Sequence, residues 1–244
     1  MVLPHIVNCV LFARRGLIRA LAGSWVNPGE YLLMTMNHSG AAGAQTSADD
    51  GTLGQIRGVP TLARSLMTGG AGFCLVSLCV FATVAFAERW MYAVLGLFGA
   101  YLAWTVMFII LGGAVLGSLV VGRWRLPRFY LLFSAAFFAY AVAWVGAYFS
   151  LRGAAGEWVG SLVGSLLMGF VLAAGFGVVR SALKLSVTLF AAHSVGYFLG
   201  SALNEVVRGQ AGMLLWGVMY GLWLGAGLGA ALFFAQARHA ARAT

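Results

Sequence analysis

The segment LFAAHSVGYFLGSALNEVV, residues 189–207, sets a histidine, a tyrosine, an asparagine and a glutamate into an otherwise apolar run. A histidine in such surroundings can relay protons, contact a substrate or ligate a haem-like or chlorophyll-like ring. In a helix at about 100° per residue, Ser186, His193, Tyr197, Gly200 and Asn204 fall within about 60° of one another, so a single face carries a polar stripe. That face is costly against lipid and is expected to turn toward other helices or a cavity. Ser186, His193, Tyr197 and Asn204 are therefore the candidate substrate-binding residues, and no residue is assigned a catalytic role.

His193 has a second reading, which the sequence favours: a neutral imidazole hydrogen-bonded to a neighbouring helix and acting as interhelical glue. A bis-histidine haem needs a second intramembrane histidine, whereas His5, His38 and His239 fall in the tails, so no cofactor is assigned. Glu205 lies about 18 Å along the helix from His193, too far for a direct proton pair, and is expected at the interface near Arg208.

The motifs of other chemistries are missing. The chain has no P-loop, no H-E-x-x-H, no G-x-S-x-G and no C-x-x-C-H. Cys9, Cys74 and Cys79 have no zinc or disulfide spacing, and no metal site is expected. Both aspartates, Asp49 and Asp50, precede the first apolar run, which argues against a cation pump built on membrane-centred carboxylates.

The elements that must position the stripe follow from composition. Hydrophobic residues make up 61% of the chain and charged residues 9%, and the mean hydropathy is +0.91; a soluble domain of this size would leave much of that apolar surface in water. The net charge of +9 would suggest nucleic acid in a soluble protein, but here the cations flank apolar runs, where anionic headgroups and topology account for them. No nucleic-acid partner is expected.

The fold class is an all-α membrane protein. Six runs are long enough for a crossing of about 20 residues: 69–87, 95–121, 129–150, 159–179, 185–207 and 212–235. They do not alternate in polarity as barrel strands do. Residues 90–122 carry no charge and would span roughly 50 Å as one helix, so residues 90–95 are expected to lie along the interface, with a kink at Gly112 and Gly113 as the alternative. Residues 1–65 read as a flexible polar tail with an interfacial helix at 10–25, residues 66–236 as the transmembrane domain, and residues 237–244 as a short basic tail. Met34 and Met36 offer later starts.

Twelve of the fifteen cations fall in the tails and the second and fourth connections; the other side holds Arg89, Arg152 and Arg208. The positive-inside rule then puts both termini in the cytoplasm, which points to the inner membrane. Arg123, Arg125, Arg128, Arg180 and Lys184 form the basic clusters expected to meet anionic headgroups. Trp90, Trp124, Trp144, Trp158 and Trp216 are expected in the interfacial belts.

Gly217, Gly221, Gly225 and Gly229 recur every fourth residue, a small-residue strip that lets another helix approach closely, in the same chain or in a second protomer or membrane-complex partner. Gly196 with Gly200, Gly160 with Gly164 and Gly113 with Gly117 are shorter versions. LFSAAFFAY (132–140) aligns with LFAAHSVGY (189–197) at an offset of 57, a weak parallel repeat of helix pairs of the kind transporters contain. The leading functional expectation is binding or transport of a small, weakly charged or lipophilic molecule. The alternatives are a non-enzymatic accessory or assembly subunit of a membrane complex, and a membrane enzyme acting on a lipidic substrate with His193, Tyr197 and Asn204.

Overall fold

Five long helices account for nearly all of the chain that the computed structural model describes, residues 59–121 and 125–243. They are α1 (Leu62–Leu116), α2 (Arg125–Leu151), α3 (Gly153–Gly175), α4 (Ala182–Val207) and α5 (Gly209–Ala243), with 3-10 turns at Gly117–Leu119 and Val179–Ser181. There is no strand among the described residues. The expected helix at 10–25, most of the N-terminal tail, Arg123 and Trp124 lie outside the described residues. All five helices are long and apolar enough to cross a membrane. Met67, Leu75, Phe98 and Val206 stand on the outer surface, the last 81% exposed. Lipid suits such a surface and water does not, and the chain is a multi-pass membrane protein.

α1 has 55 residues but is not one rod. Gly96 adopts φ 69°, ψ 176°, a combination essentially closed to any residue with a Cβ, and the chain folds back on itself there. Phe73 stacks on Phe108 with ring centroids 5.6 Å apart, and the Trp104 indole N–H donates to Thr83 Oγ1 at 3.0 Å. In a straight helix Phe73 and Phe108 would lie about 50 Å apart. The reversal corrects the expectation for residues 90–95: they stay helical through Trp90 and Tyr92, and one glycine makes the turn. Gly112 and Gly113 remain helical; their bare faces receive the Phe73 and Tyr130 rings.

Two further hairpins follow. α2 turns into α3 at Arg152 (φ 56°, ψ 160°), and α4 turns into α5 at Arg208 (φ 56°, ψ 170°). Arg152 N–H donates to Tyr148 O and Arg208 N–H to Asn204 O, both at 2.8 Å, so the two turns share one construction. Their sequences agree as well, RGAAG at 152–156 and RGQAG at 208–212. The reversals at 96, 152 and 208 recur every 56 residues. The molecule is therefore three helical hairpins in series, and the structural unit pairs α2 with α3 and α4 with α5, whereas the 57-residue offset pairs the second predicted run with the third (95–121 with 129–150) and the fourth with the fifth (159–179 with 185–207). α3 ends in a Schellman motif, with Val178 N–H donating to Ala173 O at 2.8 Å and Gly177 N–H to Ala174 O at 3.0 Å.

Glycine faces set how the hairpins meet. α5 packs along the first leg of α1: a Cβ on Gly221 would fall 2.7 Å from Cys74 Cα and 2.7 Å from Phe73 O, and Gly225 and Gly229 press on the backbones of Gly69 and Ser65. Gly196 and Gly200 of α4 lie against the α5 backbone at Tyr220 and Trp216, while Gly160 and Gly164 of α3 lie against Trp144 and Tyr140 of α2. At the far end, Gln236 of α5 donates to Leu119 O at 3.1 Å and accepts from Val121 N–H at 3.0 Å, closing the backbone groups that α1 leaves open. α1 meets α5 along its length and α2 only thinly.

Gly221→Ala is expected to force α1 and α5 apart and to lower the melting temperature in detergent by several degrees, because backbone atoms stand where the methyl must go. Gly146→Ala, which meets nothing within 4 Å, should be neutral or raise stability by up to about 1 kcal/mol through helix propensity. Equal melting temperatures for the two variants would contradict the close packing.

Candidate functional site

Where α1 and α2 diverge, a cavity of about 300 Å³ opens among α1, α2, α4 and α5. The first leg of α1 contributes Val80, Phe81, Val84, Glu88 and Tyr92; the second contributes Tyr101, Trp104, Thr105 and Phe108. α2 adds Phe137, Tyr140, Ala141, Trp144 and Val145; Tyr197 comes from α4, and Met213, Trp216 and Tyr220 come from α5. Eleven of these side chains are aromatic, so most of the wall is π surface. At one end lies a cluster of tilted rings, with Phe108 5.4 Å from Phe137 and Phe137 5.7 Å from Phe133.

His193 is fully buried behind this wall and contacts Tyr140 and Ser161, hydroxyls on two neighbouring helices. Its Nδ1 is 2.9 Å from Tyr140 Oη and its Nε2 is 2.9 Å from Ser161 Oγ. The proton positions follow from the far end of the chain. Ser161 Oγ donates to Glu157 O at 2.7 Å, so toward His193 it can only accept, and Nε2 carries the hydrogen. No carboxylate touches the ring, and a bare imidazolium in this apolar interior would be expensive, so the ring is neutral and Nδ1 accepts from Tyr140. Tyr140 Oη in turn accepts from Tyr220 Oη at 3.1 Å. The chain runs one way, from Tyr220 through Tyr140, His193 and Ser161 to a main-chain carbonyl.

Other polar groups stand in or beside the wall. Tyr92 lies near Glu88 and Tyr101, and Tyr197 lies near Glu157. Trp104 donates to Thr83 and Thr105 donates to Tyr101 O at 2.8 Å. The indole N–H groups of Trp144 and Trp216 are buried without a protein partner and reach no open space. The Trp104, Thr105, Tyr140 and Tyr220 hydrogens are thus committed to protein acceptors. The lining is aromatic, with a few hydroxyls and one carboxylate, Glu88.

The polar stripe expected on α4 does not act as a unit. Tyr197 lines the cavity and His193 supports it from behind. Ser186 is buried lower down, donating to Leu166 O at 3.3 Å, and Asn204 lies against Gly212 at the α4–α5 turn; neither reaches the cavity. Trp144 and Trp216 are corrections: they face inward to this wall, whereas Trp90 and Trp158 stay on the outer surface. Tyr140, Tyr220, Ser161, Glu88, Tyr92 and Tyr101 were not singled out from sequence, although Tyr140 is the residue the 57-residue offset aligned with Tyr197. Lys184 and Arg180 are exposed at the opposite end of the bundle, Lys184 Nζ lying 3.7 Å from the centroid of the Phe234 ring. Among the described residues no group of three or more His, Cys, Asp or Glu side chains could hold a metal ion.

No family model, no curated protein and no solved structure matches the chain. The site therefore stands on its own geometry.

Ser161 and Tyr220 are joined only through His193 and Tyr140. A double-mutant cycle of Ser161→Ala and Tyr220→Phe, read by thermal unfolding in nanodiscs, is expected to show coupling of about 0.5–2 kcal/mol. Simple additivity would mean that the hydrogen bonds are not directed as a chain.

Proposed function

We propose that the chain is a six-crossing inner-membrane protein, both termini cytoplasmic, that binds a small lipophilic or weakly charged molecule in the aromatic cavity and carries it across the bilayer. The observation that carries this reading is the cavity itself, a space of about 300 Å³ in the middle of a bundle whose other interfaces close on glycine. Binding pockets for small molecules combine such apolar and aromatic walls with a few fixed polar groups.

The reversal at Gly96 supports six crossings by giving α1 two legs. Charge supports the orientation: Arg64, Arg128, Arg180, Lys184 and Arg238 cluster at one end of the bundle, with no acid beside them among the described residues. Glu88, Glu157 and Glu205 are at the other end with Arg89, Arg152 and Arg208, near the three hairpin turns. Glu88 and Tyr92 are the lining residues nearest those turns, and under this orientation they lie on the side away from the cytoplasm. Anionic headgroups of the cytoplasmic leaflet then meet the basic end.

Both ring nitrogens of His193 are occupied by hydroxyls of the protein, which suits a residue that shapes a binding wall better than one that turns over protons on a lipid. The glycine face of α5 is taken up by α1 of the same chain, so the accessory-subunit reading gains no observation of its own.

The test is equilibrium dialysis of radiolabelled indole against the protein in nanodiscs, corrected for empty nanodiscs. Saturable binding is expected, and Ala141→Trp, which fills the cavity, should weaken it by roughly tenfold or more while the protein still elutes as a folded species. Equal binding by the two proteins would remove the cavity from the function.

A further inference from the structure

We propose that the ligand of this cavity is an organic cation, an amine or quaternary ammonium on a small apolar body. This inference rests on the reading of the cavity as a binding site and narrows it to one class of ligand.

Three independent features of the wall converge on it. The first is the aromatic lining: eleven rings, Trp104, Phe108 and Trp216 among them, border the cavity, and the face of an aromatic ring is the negative side of its quadrupole, which attracts ammonium groups most strongly where water is excluded. The second is Glu88, a half-buried carboxylate in the wall itself. No lysine or arginine among the described residues forms an ion pair with it; Tyr92 is its neighbour in the wall. A carboxylate held in an apolar recess without a counter-charge is completed by a cationic ligand.

The third feature is the direction of the hydrogen bonds. Ser161 fixes the tautomer of His193, His193 takes the Tyr140 hydrogen, and Tyr140 takes that of Tyr220. The Tyr140 and Tyr220 oxygens can then only accept from a ligand. At these two hydroxyls an anion or a carbonyl-bearing ligand would find no donor, a penalty of kcal/mol size for each group left unpaired. An ammonium finds lone pairs, π faces and a carboxylate. His193 is accordingly a positioning residue for ligand polarity, acting through Tyr140.

The experiment compares three probes of nearly one shape: phenyltrimethylammonium, its neutral isostere tert-butylbenzene, and the anion benzenesulfonate. Each is dialysed against the full chain in nanodiscs of neutral lipid and corrected for empty nanodiscs. The cation is expected to bind roughly tenfold or more tighter than the neutral compound, with the anion weakest, and Glu88→Gln should lose most of that preference at an unchanged melting temperature. A neutral probe bound as tightly as the cation, or a preference that survives Glu88→Gln, overturns the proposal while leaving the binding cavity in place. Absence of saturable binding by all three probes, with indole also unbound, overturns the binding reading and this proposal together.

Discussion

A neutral imidazole in the middle of an apolar bundle has one donor and one acceptor to satisfy, and at His193 both are met by hydroxyls on other helices. Ser161 donates to Glu157 O, one turn back in its own helix, and that local bond decides the rest. It makes Nε2 the donor and Nδ1 the acceptor, turns the Tyr140 hydrogen away from the cavity, and leaves Tyr220 to donate to Tyr140. Breaking the chain at any point would strand a buried polar group at a cost of about 1–3 kcal/mol. The bonds join α2, α3, α4 and α5 at one level of the bundle, so the two C-terminal hairpins hold each other in register through the same contacts that set the polarity of the cavity wall.

Backbone proximity makes the chain of bonds possible. Gly164 lets α3 approach Tyr140, and Gly196 lets α4 approach Tyr220; a side chain at either position would separate the helices that supply the hydroxyls. Lipid provides no hydrophobic force to bring helices together, so close van der Waals packing and interhelical hydrogen bonds have to do so. The glycines and the histidine network are in this sense one device. Where glycine faces close the helix pairs, the interior is dense. Where α1 and α2 diverge and large rings face one another, space remains.

Much of the architecture was legible because lipid imposes strong rules. The helical class, the apolar runs and the inward turn of His193 follow from the cost of exposing polar groups to hydrocarbon, and glycines at every fourth residue advertise close approach whatever the partner. The reversal at Gly96 is hidden because it uses one residue in an uncharged run; with no proline, polar cluster or charge to mark it, the break the sequence does show is Glu88–Arg89, just past the end of the first apolar run at Ala87. Trp144 and Trp216 read as headgroup-belt residues because tryptophan near a span end usually belongs there, and their position in the sequence says nothing of whether the ring points in or out. Ser161 and Tyr140 gave little signal alone, since serine and tyrosine are ordinary in membrane helices. Their importance arises only when α2, α3 and α4 are brought together. The stripe on α4 has the right periodicity but too great a length: Ser186, His193 and Asn204 share a face while meeting different neighbours at different depths.

The tautomer of His193 underlies both the packing and the polarity of the cavity, and it can be observed directly. Solid-state NMR of the protein in lipid bilayers, with ¹⁵N-labelled histidine and the signal assigned by comparison with His193→Phe, reports which ring nitrogen carries the proton. The geometry requires a protonated Nε2 and a bare Nδ1 near neutral pH. A proton on Nδ1, or on both nitrogens, would reverse the Tyr140 bond, turn hydroxyl hydrogens toward the cavity and contradict the arrangement from which its ligand class was inferred.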